Sequence, residues 1–227
     1  MKIKYIGQAG FIIEFGEKTL VIDPFITAND KMNATLKVAD IKCDYVLLTH
    51  GHQDHVLDAE AIAKQNDAKI ISNYEIVSYY EERGIAGHPL NHGGEWKFDF
   101  GTVKFVSAIH SSVLPDGTYA GNPGGFVIYN DENCFYHAGD TALTMDMKLI
   151  PMTCPKLDFA ILPIGNNFTM GYKDAVIAAE FIECDKIIGC HFDTFELIEI
   201  DRIGAKETFS KRQKELILMD LGQEIEL

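Results

Sequence analysis

The segment Thr49-His50-Gly51-His52-Gln53-Asp54-His55 places four metal-binding side chains within six residues. Imidazole nitrogen and carboxylate oxygen together suit zinc and its first-row neighbours. The plain alternative is a polar turn that happens to be rich in histidine, but the spacing His-x-His-x-Asp-His seldom arises by accident. The run before it, Asp44-Tyr45-Val46-Leu47-Leu48-Thr49, is short, apolar and β-prone, and predicts a buried strand. Donors that leave the end of a strand are held more accurately than donors on a free loop.

Four adjacent donors cannot all serve one tetrahedral ion without severe backbone strain, so the motif predicts two ions and further donors elsewhere in the chain. Three polar residues sit just past β-prone runs in the same manner: His110 after Val103 to Ile109, Asp140 after Cys134 to Gly139, and His191 after Lys186 to Cys190. Each has a structural account when taken alone, since an aspartate after a strand is commonly a turn residue. Beside the first motif they read as the missing donors.

At this point the chain resembles the metallo-β-lactamase superfamily, whose motifs run as an Asp after an early strand, His-x-His-x-Asp-His, a lone His, a lone Asp and a final His. Asp23 in Val21-Ile22-Asp23-Pro24, the motif from His50 to His55, His110, Asp140 and His191 match in turn, over nearly the whole chain. Within the superfamily the chain is similar to small metal-dependent hydrolases related to L-ascorbate-6-phosphate lactonase. The segments Ala120 to Phe126, His137-Ala138-Gly139-Asp140-Thr141 and Pro163 to Gly171 carry that finer resemblance.

The resemblance implies one metal held by His50, His52 and His110, a second held by Asp54, His55 and His191, and Asp140 as the bridge. Its cofactors are two divalent ions, zinc first, with manganese, iron or nickel as alternatives for a site rich in nitrogen and oxygen. A hydroxide between the ions would be the nucleophile. Asp54 is the candidate catalytic residue, orienting that hydroxide and moving its proton, although a ligand role alone would also account for it. Asp23 is assigned to accept a hydrogen bond from a ligand imidazole and set its tautomer. A carboxylate that merely ends a strand before Pro24 is the competing account.

These residues need a scaffold, and the composition can supply one. The 227 residues are 47% hydrophobic and 24% charged, enough for a sizeable core, with no long linker to force a division. A single metallo-hydrolase domain over 1–227 is the expectation. No apolar run is long enough to span a membrane, and the first eight residues read as a strand, not as a secretory signal. Five cysteines without Cys-x-x-Cys spacing favour reduced thiols and a cytoplasmic location. Cys190 beside His191 points to the opposite face of its strand and reads as a small buried side chain. The 34 acidic and 20 basic residues give a formal charge of −14, which removes the usual driving force for binding long nucleic acid. The expected partner is a small-molecule substrate, with a homo-oligomer as the expected assembly.

Periodicity predicts strands over 3–6, 11–15, 19–22, 45–49 and 69–72, with helices from Asp58 to Asp67 and from Tyr74 to Gly84. Two hairpins follow, 95–100 with 102–108 and 125–130 with 134–138. The second half predicts a helical stretch near 142–149, strands over 157–162 and 186–190, helices over 173–183 and 202–213, and a terminal β-prone segment. Periodicity alone supports mixed α and β. Strands followed by helices in both halves suggest two sheets face to face with helices outside, an α+β four-layer αβ/βα sandwich, as in the resembled superfamily.

For substrate contacts the candidates are Ser111 and Tyr119 on the loop after His110, and Asn166 and Asn167 after the strand that ends at Pro163. Surface connection and turn stabilisation are the competing accounts. His88 and His92 read as solvated loop histidines, with His92 the better substrate candidate. His137 is turned from the metal side by strand alternation and reads as a core residue or as a support for a ligand, not as a ligand itself. The function so implied is hydrolysis of a small polar ester by the bridging hydroxide, either a lactone of a phosphorylated sugar or a small phosphodiester. Alternatives are a non-catalytic metal- or nucleotide-binding protein, or a di-iron oxidoreductase, although the latter typically places Glu where this chain has His52 and carries a flavin domain.

Overall fold

The computed structural model describes residues 1–227. Its strands form two seven-stranded sheets built on one plan. In the first, β1 (Lys2–Tyr5), β2 (Phe11–Phe15) and β3 (Lys18–Ile22) run antiparallel. From β3 onward, β4 (Tyr45–Leu47), β5 (Lys69–Asn73) and β6 (Gly87–Leu90) are parallel neighbours. The second sheet repeats this, with β7 (Glu95–Lys97), β8 (Thr102–Ser107), β9 (Gly124–Tyr129) and β10 (Cys134–His137) antiparallel. Then β11 (Phe159–Pro163), β12 (Lys186–Cys190) and β13 (Glu215–Ile217) run parallel to β10. The last strand, β14 (Glu224–Glu226), returns to pair with β1 in the first sheet.

Parallel neighbours require crossover connections, and helices supply most of them. After β3 comes α1 (Asp30–Asn33), and α2 (Gln53–Val56) and α3 (Ala59–Asn66) join β4 to β5, while α4 (Tyr74–Glu81) joins β5 to β6. In the second half α5 (Ile150–Thr153), α6 (Tyr172–Phe181) and α7 (Arg202–Ser210) play the same part. Strand alternation then divides the apolar side chains among three cores. In β11, Phe159 and Ile161 face the other sheet and share one core with its Phe11 and Phe15 and with Phe126 and Phe135 of their own sheet. Ala160 and Leu162 face outward, against Ala175 and Ala179 of α6 and Phe209 of α7. On the other side Val46 and Ile70 pack against Ile62 of α3 and Ile76 and Tyr80 of α4. The layers are therefore helix, sheet, sheet and helix, the α+β sandwich expected from the sequence. None of the helices is long and apolar enough to cross a membrane.

The main departure from expectation is β6, in a segment read as loop. Gly87-His88-Pro89-Leu90 lacks alternation and contains a proline, a combination that only an edge strand tolerates. His88 consequently lies near the aromatic rings of Trp96 and Phe98, with centroids 4.9 and 5.1 Å away, and is not simply solvated. The β-prone C-terminus splits into β13 and β14, one in each sheet. The stretch near 142–149 is a 3-10 turn over Met145–Leu149 that runs into α5.

The inter-sheet core holds the two halves together, and Phe135 is at its centre, stacked on Phe159 at 5.2 Å and edge-on to Phe15 at 5.5 Å. Phe135→Ala is expected to lower stability by about 3–5 kcal/mol, read from urea unfolding. A loss below about 1 kcal/mol would mean that the interface can collapse around the cavity.

Candidate active site

The polar residues singled out by spacing lie at the carboxyl ends of β3, β4, β10 and β12 and beyond β8, where loops from both sheets meet. Asp23 follows β3 with a left-handed backbone (φ 43°), and its carboxylate is buried. It accepts hydrogen bonds from the Thr49 amide (2.8 Å) and the Thr49 hydroxyl (2.6 Å). It also lies 2.8 Å from His55 Nδ1, and since a carboxylate only accepts, His55 Nδ1 carries the proton. Because the Thr49 hydroxyl spends its proton on Asp23, its oxygen accepts from His50 Nδ1 at 3.1 Å. One carboxylate therefore fixes the Nδ1 proton of two imidazoles and turns both Nε2 atoms toward the other donors.

The seven remaining candidates converge. One group is His50, His52 and His110, and the other is Asp54, His55, Asp140 and His191; within each, the donor atoms lie within 4.8 Å of one another. Asp140 Oδ2 is 3.1 Å from His191 Nε2, 3.3 Å from His55 Nε2, 3.5 Å from His110 Nε2 and 3.9 Å from His50 Nε2, so it stands between the groups. His52 turns Nδ1 toward His50 Nε2 at 3.0 Å, with its Nε2 3.3 Å from the Ser111 hydroxyl. Gly139 permits this approach of the two sheets. Its φ is +62°, and a Cβ there would meet Thr49 Cβ at 2.7 Å.

Charge follows the same division. Burial, reinforced by neighbouring imidazoles, holds His50, His52 and His110 below the ordinary imidazole range, so they are neutral. Burial also opposes charge on His55 and His191, but Asp140 and the other carboxylates outweigh it, and His191 is raised to about 9. Burial would raise Asp54 and Asp140 as well; the imidazoles of His55 and His191 overcome it and keep both carboxyls well below their usual range. One buried carboxylate, Asp140, and one half-buried one, Asp54, thus demand positive charge at this spot. His55 Nε2 and His191 Nε2 are buried and make no hydrogen bond of good geometry, facing only the Asp140 and Asp54 carboxylates at 3.1 to 3.5 Å, and Asp140 Oδ1 has no partner; a cation among these atoms would satisfy all three. The donor set fits divalent metal in both groups.

A cavity of about 590 Å³ opens over these donors and is lined by His52, Asp54, His110, Ser111, Asp140 and His191 among others. Of the expected substrate contacts only Ser111 lines it. His92 stacks on Phe105 with ring centroids 5.0 Å apart and bonds the Pro123 carbonyl at 2.8 Å, which explains its place without a substrate. Tyr119 is exposed on the loop with its hydroxyl 3.5 Å from Asn122 Oδ1. Asn166 and Asn167 take left-handed conformations (φ 60° and 55°) in the turn after β11, the structural role that Asn favours. His137 is a core residue that bonds the Ala9 carbonyl, and Cys190 lies in the inter-sheet core.

Sequence reasoning missed Gln8 and three phenylalanines, Phe25, Phe168 and Phe195, which also line the cavity. Gln8 is fully buried, donates from Nε2 to Asp54 Oδ2 at 2.8 Å, and its carbonyl accepts from the His191 amide at 2.7 Å. The only signal was its place between Gly7 and Gly10 in a turn. A separate cleft of about 520 Å³, lined by Tyr5, Asp193 and Arg202, carries no comparable donor cluster.

Comparison with known proteins accords with this geometry. The family model described as the Beta-lactamase superfamily domain matches residues 2–191. A UPF0173 metal-dependent hydrolase of Christiangramia forsetii is 59% identical over 227 residues, the full length of both chains. Its counterpart in Methylacidiphilum infernorum is 46% identical over 214 residues, 94% of each chain. The solved structure of Igni18, a metallo hydrolase of the archaeon Ignicoccus hospitalis, superposes with a TM-score of 0.85 at 30% identity, covering 99% of this chain and 97% of that one.

Removing the Asp23 carboxylate leaves the Thr49 amide and the His55 Nδ1 proton buried without acceptors. Asp23→Ala is therefore expected to lower the stability of the metal-free protein by about 3 kcal/mol in urea unfolding. A change under about 1 kcal/mol would show that water replaces the carboxylate freely.

Proposed function

The chain belongs to the metallo-β-lactamase superfamily, and on that footing we propose that it is a hydrolase of a small ester bond that works with two divalent ions. His50, His52 and His110 would hold one ion, Asp54, His55 and His191 the other, with Asp140 shared. The observation that carries this reading is the position of Asp140 Oδ2, 3.1 to 3.9 Å from four imidazole Nε2 atoms, two of which also lie 3.5 Å from Asp54 Oδ2. Five imidazoles favour zinc, while manganese, iron and nickel are compatible with the same donors. When bound, such ions supply a nucleophilic water of lowered pKa and positive charge for the oxygen anion that develops in hydrolysis.

The protein's own residues supply position and proton traffic. Asp54, whose side chain is 28% exposed to the cavity, takes the proton of the attacking water and returns it to the leaving oxygen as the ester C–O bond breaks. Gln8 keeps that carboxylate in place through the 2.8 Å hydrogen bond to Oδ2. Its Oε1 is buried without a hydrogen-bond partner. Ser111 orients the His52 ring, and Thr49 relays the Asp23 charge to His50. Ser111 and His110 lie at the cavity side, where they meet the reacting end of the substrate. A lactone and a phosphodiester, the two bonds suggested by the finer resemblance, both present an electrophilic centre that this arrangement serves.

The test is hydrolysis of a panel of lactones, phosphodiesters and thioesters by protein of measured metal content, beside Asp54→Asn. Turnover by the wild type with a loss of about 10²-fold or more in Asp54→Asn is expected. Full activity of the variant at equal metal content removes Asp54 from proton transfer, and an inert wild type across the panel contradicts the hydrolytic reading. Thr49→Val, which cuts the relay from Asp23 to His50, should weaken metal binding by roughly 10- to 100-fold in competition with a chelator. An unchanged affinity would show that the relay does not tune the ligands.

A further inference from the structure

Three aromatic side chains from three separate loops line the cavity: Phe25 after β3, Phe168 between β11 and α6, and Phe195 after β12. Phe25 is buried and packs against Phe195, with ring centroids 6.3 Å apart and planes inclined by 57°. Phe168 and Phe195 are 52% and 43% exposed, although they sit beside the most polar cluster in the molecule. Aromatic surface held in a cavity wall is a recognition surface, because a ligand that covers it removes apolar area from water.

The charges divide in the same direction. Every ionisable side chain that lines the cavity belongs to the candidate metal cluster, and no Lys or Arg lines it. Arg202, the first basic residue after His191 in the chain, lines the separate cleft and is held by Asp193 at 2.7 Å. A phosphate group carried away from the reacting bond would need a guanidinium or ammonium partner there. The formal charge of −14 adds long-range repulsion.

We propose that the substrate is an ester or lactone with an apolar substituent, an aryl group or a medium-length alkyl chain, seated against Phe25, Phe168 and Phe195. A phosphorylated sugar does not suit this wall. The inference rests on the hydrolytic reading above and specifies the substrate class for that site. Water adds to the carbonyl carbon as one of its protons passes to Asp54, the C–O bond breaks, the alcohol oxygen takes that proton, and the acid formed loses its remaining proton to solvent, leaving a carboxylate with an apolar tail. About 590 Å³ is ample for such a molecule.

The test separates tail recognition from turnover. Acetohydroxamate, hexanohydroxamate and 5-phospho-arabinonohydroxamate share one metal-binding head and differ in the tail, so calorimetric titration of the metal-loaded protein reads the tail alone. Full burial of a methylene is worth about fourfold in affinity, and the four extra methylenes of hexanohydroxamate should yield at least a tenfold advantage over acetohydroxamate even if only partly covered. The phosphorylated tail should give none. Phe168→Ala and Phe195→Ala should each shrink the hexanoyl advantage at unchanged metal content. A phosphorylated hydroxamate that binds more tightly than the hexanoyl one overturns the proposal. So does a hexanoyl advantage that is absent or indifferent to both phenylalanines, or a failure of all three compounds to bind. Hydrolysis of p-nitrophenyl hexanoate by the same preparations reports on the reaction separately. Tail selectivity without turnover defeats the hydrolytic reading and leaves the ligand class standing, whereas turnover without tail selectivity does the reverse.

Discussion

A buried carboxylate paired to a single imidazole, Asp23 with His55, organises this molecule. Asp23 sits beneath the candidate site in a left-handed backbone conformation and accepts hydrogen bonds from the Thr49 amide, the Thr49 hydroxyl and His55 Nδ1. Through Thr49 it also fixes His50. These bonds turn the inner nitrogens of two imidazoles away from the cavity and the outer ones toward it. Without them His50 and His55 would each be free to present the wrong nitrogen, and the cluster would lose its definition. The β3–β4 pairing makes this possible, because parallel strands in register at Ile22 and Leu47 bring residue 23 and residue 49 to the same sheet end.

The second sheet contributes the complementary half. Asp140 and His191 leave β10 and β12, strands of the parallel part of that sheet, while His110 leaves the antiparallel β8. The inter-sheet core is rich in phenylalanine, and it sets the distance between the two rows of strand ends. Gly139 lets the chain pass close to Thr49, and the Gln8 carbonyl ties the His191 amide to the first sheet. Core packing thus decides how near Asp140 comes to the imidazoles of the other half. Within the cluster, protons on His55 and His191 answer the charge of Asp54 and Asp140, the role that the proposed divalent ions would take over.

Much of this was legible in the chain because the relevant signals are local. The run from His50 to His55 is contiguous, and the strands that end at Asp23, Asp140 and His191 are short apolar segments whose ends can be read directly. What escaped depends on contacts distant in sequence. Gln8 acquires its role only when β1 and the motif loop are side by side, 46 residues apart in the chain. Phe25, Phe168 and Phe195 lie in loops without periodicity, and nothing local shows that they share a wall. The proline-containing β6 exists because β5 offers it an edge, a preference of the sheet and not of the segment. Conversely, Asn166, Asn167 and His92 are polar residues in plausible places whose backbone angles and core contacts account for them.

The central claim is that seven side chains from both sheets form one site for two ions bridged by Asp140. Anomalous diffraction from crystals of the zinc-loaded protein, with peaks located above and below the zinc edge, tests it most directly. Two peaks separated by about 3.5 to 4 Å, one beside His50, His52 and His110 and the other beside Asp54, His55 and His191, are the result this account requires. A single peak, or zinc bound elsewhere with the Asp140 carboxylate paired only to protonated imidazoles, would contradict it.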